Sequence, residues 1–469
     1  MLETTADELR GQWKNPSGVL SLLLLIGGDI VQKAIAQTAG YTLRLPSRRQ
    51  RNSVQPLTNA SGPSIRLATI PLTPVAFSFG WVAFGFSQLQ SAVGDRRLLP
   101  TPEKSAIVVN CANGFQRKNE SWVIDRLLRD HEICNPVDEK ADSLRIDIFE
   151  LGPLRKLVPD HVWWMGWLTM LAEIALAIPP WVLHGDWGTM MVVLCGNTLA
   201  FITCFLPQWR AEKWAGGTLD ANNVICITRG NGRKHIMVLI GSPGSPDLET
   251  FATAKGPVRP ETPFATVILA ALWVCLLLSV SALQANAWYL LGAGGLGMLQ
   301  NVYAAGATRR SCTTGLQLKV FERMPTITGK SVEFQDDPNP NVDLEEALRD
   351  VLPLSNWINE QGATPKDIPT WLESMDKNDG APAWLEPVRN TQNVVRTHGA
   401  LKELEKWVPG AGLAMLQIYF PTRIEYEDGN VRDNINKKFW KRASHTRRVR
   451  RQAEQARRKI EQCEGTKFV

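Results

Sequence analysis

Histidine is scarce: there are six in 469 residues, none in a His-Glu-x-x-His or His-x-x-x-His arrangement. A zinc site would therefore have to be assembled from distant segments, and no metal or other cofactor is expected. Eight cysteines occur without any Cys-x-x-Cys spacing, which leaves no disulfide scaffold. Cys195, Cys204 and Cys275 fall inside apolar runs and read as small buried hydrophobes. The chain has no Gly-x-Ser-x-Gly elbow and no phosphate-binding loop, and Asp336-Asp337 stands alone in a Pro-rich stretch. Met1 to Ser17 is polar and mildly acidic, without the basic start and compact apolar core of a cleaved signal peptide, so the first apolar run is expected to act as an uncleaved anchor.

What is present is long apolar sequence. The charged fraction is an ordinary 21%, but the apolar residues are gathered into windows of roughly 20 residues, each long enough to cross about 30 Å of hydrocarbon. About six transmembrane helices are expected, at 18–41, 70–90, 161–182, 187–207, 263–283 and 288–308. The first turns polar around Asp29, Gln32 and Lys33; the second carries Pro74 and is rich in aromatic residues. Leu183-His184-Gly185-Asp186 and Gln284-Ala285-Asn286-Ala287 are too short for anything but helical hairpin turns, so two hairpins are expected side by side.

Lysine and arginine set the orientation. Neither tight turn holds one, whereas Arg96, Arg97, Arg155, Lys156, Arg210, Lys213, Arg309 and Arg310 flank the hairpins. Those flanks are expected in the cytosol, with both termini. Trp181, Trp187 and Trp288 mark the outer boundary, and Trp163, Trp164, Trp167, Trp209 and Trp214 the inner one. The first loop, Thr42 to Thr69, opposes this rule with five arginines and no acid. Its Asn59-Ala60-Ser61 is a glycosylation sequon that only an outward loop could use, whereas Asn119-Glu120-Ser121 should stay unmodified.

The expected fold class is thus a mainly α membrane protein, with 1–17 a cytosolic N-terminus. Residues 91–160 read as a strand-helix-strand unit, with Ala106 to Val109 and Leu144 to Ile148 as strands and Ser121 to His131 as the helix. Residues 208–261 add two apolar strands around Gly230-Asn231-Gly232, a strong hairpin signal. Together the two loops are expected to build one small α+β sheet unit. Residues 309–435 read as a separate, mostly helical soluble domain. The basic tail, 436–469, holds eleven Lys and Arg against one Glu between Asn436 and Lys459, with Phe439 and Trp440 at its front. Its alternatives are contact with anionic lipid or a solvated basic helix; nucleic acid is not expected.

Ionisable groups inside the spans are the candidate site residues, because each costs several kcal/mol in hydrocarbon and needs a partner or a cavity. Asp29 and Lys33 are four apart and could pair on one helix. Glu173 lies nine residues before Val182 and Asn197 ten after Trp187, which puts both about 13 to 15 Å from the outward turn. They could meet, either as a hydrogen bond holding the hairpin or as a proton or substrate site. Gly292-Ala293-Gly294-Gly295-Leu296-Gly297 satisfies a dinucleotide fingerprint formally, but it lacks the preceding soluble strand and the later acid; a close helix-packing face is expected. Arg229, Arg233 and Lys234 cluster donors that suit a phosphate or lipid headgroup, or simply line a turn.

The stretches Gly27 to Ala34, Pro74 to Trp81, Asn119 to Asp130 and Thr228 to Gly232 resemble a group of multi-pass membrane proteins predicted from filamentous-fungal genomes. That resemblance implies the membrane architecture and carries no catalytic residue. The function expected is that of a non-enzymatic scaffold, sensor or transporter-like bundle. The alternative is a membrane enzyme acting on a lipophilic substrate through Glu173 or Asp29.

Overall fold

The computed structural model describes residues 26–44, 69–331 and 394–448, apart from isolated positions and much of 423–448. Asn59, Met1 to Ile26's predecessors in the first apolar run, and most of the basic tail lie outside the described residues. In chain order the elements begin with helix α1 (Gly28–Thr38), strands β1 (Thr42–Arg44) and β2 (Thr69–Pro71), and helix α2 (Trp81–Val93). There follow β3 (Ile107–Asn110), β4 (Gln116–Lys118), α3 (Trp122–Cys134), β5 (Asp142–Leu151), α4 (His161–His184), α5 (Gly188–Cys204) and α6 (Pro207–Lys213). Next are β6 (Asn223–Thr228), β7 (His235–Gly241), the short α7 (Leu248–Phe251), α8 (Glu261–Ser281) and α9 (Ala287–Gly306). The chain ends with β8 (Leu318–Val320), β9 (Thr326–Lys330), α10 (Arg396–Trp407) and α11 (Ala411–Tyr419). These elements divide into two compact units, one helical and one built on a sheet.

The helical unit comprises residues 1–101, 156–215 and 255–315. Helices α4 and α8 are long and apolar enough to cross a membrane, and the pair α5 and α6, bent by 45°, makes a third candidate. The hairpins α4–α5 and α8–α9 form where the tight turns place them. Asp186 in the first turn accepts from Asn286 in the second, at 2.9 Å, and so joins the two.

The expected span over 70–90 is not one helix. Only its second half is helical, as α2, while Leu72 to Gly80 runs without helix through the interior, with Val75, Ala76, Phe77 and Ser78 all buried. Pro74 supplies no backbone donor and disfavours helix for its predecessor. Phe77 stacks on Trp273, which stacks on Trp81 at 5.2 Å between ring centroids. Of the first expected span, 18–41, the described residues are helical over Gly28–Thr38, with Gly27 before them at φ 89°.

The sheet unit gathers 102–155, 216–254 and 316–469. Strand order is β4-β3-β6-β7-β5-β8, with β9 also on β5. The strands from the two loops do pair: Val109 faces Cys226 in the antiparallel β3–β6 ladder, and Ile148 faces Val238 in the parallel β5–β7 ladder. Gly230 and Gly232, both at positive φ, close the β6–β7 hairpin between Thr228 and Ile236.

One face of this sheet, with Leu144, Ile146, Ile148, Ile236 and Val238, packs under Leu401, Leu404, Trp407 and Met415 of α10 and α11. Helix α3 lies against the other face, where His131 meets Asp147 and Phe149. Residues 316–330 and 396–419 therefore do not form the separate C-terminal domain expected over 309–435. They complete the sheet and its core. Phe439 and Trp440 also belong to that core, Trp440 donating to His398 at 2.8 Å. Both rings are buried there.

Candidate functional site

The helical unit turns its polarity inside out. On α4, α8 and α9, Leu168, Val182, Phe264 and Leu299 are each about 70% exposed, while Glu173 on the inner side of α4 is 0% exposed. Thr169, Asn197, Thr203, Gln300 and Asn301 are also buried. In water this arrangement would leave apolar surface exposed and polar groups confined, the reverse of what burial energetics favours.

The buried polar side chains converge on the extended segment. Asn197 of α5 donates to Glu173 Oε2 at 2.8 Å and accepts from the Phe77 amide at 3.2 Å. Gln300 accepts from the Ala76 amide, and Asn301 donates to Ser78 Oγ at 2.8 Å. Trp81 Nε1 reaches the Ala76 carbonyl at 2.9 Å. A backbone stretch that has given up helical hydrogen bonds thus recovers them from side-chain amides of α5 and α9, as buried non-helical chain must. Gly297 makes the approach possible: a Cβ there would stand 1.8 Å from the Phe77 carbonyl and 2.5 Å from Glu173 Oε1. Gly294 receives the Phe79 ring in the same way, so these two glycines of the α9 run form a packing face, whereas Gly292 and Gly295 meet nothing within 4 Å.

Of the four intramembrane candidates, Glu173 and Asn197 meet. Asp29 and Lys33 do not join them. Asp29 is exposed and Lys33 half-buried on α1, and neither bonds to the Glu173 group. Among the described residues no cation forms an ion pair with Glu173. Gln300, Asn301 and Ser78 were missed by a search for charges, although two adjacent amides in an apolar helix were a signal open to view.

A second polar group in this unit closes the end of α1. Lys213 Nζ, buried, donates to the carbonyls of Ala36 and Ala39 at 2.7 Å and of Gln37 at 3.2 Å. Arg309 also donates to the Gln37 carbonyl and clamps Asp160 through two 2.7 Å bonds. These are the last carbonyls of a helix, which have no intrahelical donor and favour a cation.

In the sheet unit the contacts of the Arg229 cluster are those of a turn tied to its own fold. Arg229 is buried between Asp125 at 2.9 Å and Glu132 at 3.0 Å, so its charge is already spent on two carboxylates. Lys234 Nζ binds the carbonyls of Glu139 and Asp142. Only Arg233 of the three is exposed. Beside them Tyr419 bonds to Thr228 Oγ1 and to the Arg233 carbonyl, both at 3.0 Å. Burial pushes its hydroxyl up to about 12.

No family model matches the chain, and no curated protein or solved structure matches it.

Proposed function

We propose that this chain is an integral multi-pass membrane protein of the scaffold or sensor kind, with a closed helical bundle and a sheet unit that serves contacts outside the bilayer. The observation that carries this reading is the inverted polarity of α4, α8 and α9, with leucine, valine and phenylalanine outward and Glu173, Gln300 and Asn301 inward. Hydrocarbon accepts the first set and penalises the second unless it is paired.

The alternative, an enzyme working on a lipophilic substrate through Glu173 or Asp29, finds less support. Glu173 is sealed by Asn197, Gly297 and the Phe77 backbone, and Asp29 lies in a different group of residues. A hydrogen-bonded clasp that fastens an extended segment is the role these contacts favour for Glu173.

The test is alkaline carbonate extraction of membranes from cells expressing the full chain. Retention in the pellet, with release only by detergent, is expected. Recovery of a monodisperse chain without detergent would overturn the proposal.

A further inference from the structure

The sheet unit brings together three side chains that are far apart in sequence: His131 near the end of α3, Asp147 in the middle of β5, and His235 at the start of β7. One nitrogen or carboxylate oxygen from each lies within 4.8 Å of the others. His131 Nε2 is 2.8 Å from Asp147 Oδ2, and the His131 and His235 rings stand 6.2 Å apart, edge to face. His235 Nδ1 is buried with no hydrogen-bond partner. A buried ring nitrogen of this kind bears the full desolvation penalty of its lone pair or proton, which a bound ligand would relieve.

We propose that His131, Asp147 and His235 form a binding site for a divalent transition metal of the zinc class. In a tetrahedral zinc shell the ligand atoms lie about 2.0–2.1 Å from the metal and hence about 3.4 Å from one another. His131 and Asp147 already meet that spacing to within a fraction of an ångström. Closure falls to His235, which follows the glycine-containing turn from Arg229 to Lys234.

The carboxylate is also held from behind. Thr326 donates to Asp147 Oδ1 at 2.6 Å. Arg145 donates from Nη2 to the same Oδ1 at 3.2 Å and from Nε to Oδ2, the oxygen that also meets His131, at 2.8 Å. Such outer partners orient ligands and their loss weakens metal binding. The Arg145 charge also narrows the choice of ion. Calcium and magnesium need several oxygen ligands and carboxylate charge, which this site does not offer, whereas imidazole nitrogen suits zinc and its neighbours. Three protein ligands leave a fourth position open, for water or a further group.

The experiment uses the full chain purified in detergent, stripped with a chelator and titrated with cobalt(II), then with zinc(II) to displace it. Uptake of about one equivalent, with the intense visible absorption of four-coordinate cobalt, is expected. His131→Ala and His235→Ala should each weaken binding at least tenfold, while His161→Ala, in the other unit, should not change it. X-ray absorption of the zinc-loaded wild-type chain should show nitrogen and oxygen neighbours only. Absence of stoichiometric uptake by the wild type, a shell containing sulfur, or undiminished binding by both folded variants would overturn the proposal. The wild-type readings decide the matter even if the variants do not fold.

Discussion

Glu173 could be placed opposite Asn197 by counting residues from a tight turn, and the contact exists at 2.8 Å. Counting worked because two rigid helices leave a short loop at nearly equal depth. If the carboxyl serves as an acceptor in a clasp, Glu173→Gln should keep the bond and the stability of the chain in detergent. Glu173→Leu should cost about 1–3 kcal/mol, the penalty of stranding the Asn197 amide, as read by thermal unfolding. Equal damage from both changes would argue for a protonic role instead. The Arg229 turn, by contrast, left a headgroup contact and a plain turn both open in the sequence. Asp125 and Glu132, its partners, lie about a hundred residues earlier on α3, so nothing near Arg229 in sequence announced that its charge was taken.

Tyr419 carries a pH dependence of definite sign. Its hydroxyl titrates near 10 when free and near 12 in the fold. The stabilisation is therefore complete below pH 10 and is lost as pH rises from 10 through 12, where the unfolded chain ionises first. Tyr419→Phe should be less stable than wild type at pH 8 through loss of the Thr228 bond. Chemical denaturation should then show the gap narrowing by about 2–3 kcal/mol between pH 10 and 12.

At the scale of elements, the hairpins α4–α5 and α8–α9 and the strands β3, β5, β6 and β7 were legible, because apolar length and strand alternation are local signals. The break in the expected span over 70–90 was not. Hydropathy counts Val75, Ala76 and Phe77 alike whether they are helical or extended. What settles their conformation is the arrival of Asn197, Gln300 and Asn301 from helices more than a hundred residues away. The seat for that segment is Gly297, and it gives a sharp contrast within one helix. Gly297→Ala drives a methyl into the Phe77 carbonyl and should destabilise the chain by about 1–3 kcal/mol or more. Gly295→Ala, two residues away, meets nothing within 4 Å and should be neutral or gain up to about 1 kcal/mol from helix propensity. Unfolding followed by tryptophan fluorescence in detergent separates the two.

For the molecule as a whole, the sheet unit is the least local construction. The C-terminal segments were legible as soluble and mostly helical, but their destination on β5 and its apolar face was not, since no pattern within 316–419 specifies a partner some 170 residues upstream. β5 meets β7 after nearly ninety residues and β9 after about 180. At a ribosomal rate of about 5–20 residues per second, its hydrophobic residues Leu144, Ile146 and Ile148 wait on the order of ten seconds for the first neighbour and longer for the second. Hairpin α4–α5 is made before β7 arrives, and hairpin α8–α9 before β9. A nascent chain held in this state exposes a bare strand edge, the surface most prone to joining a stranger, and its biogenesis should depend on chaperones that shield such edges until synthesis ends.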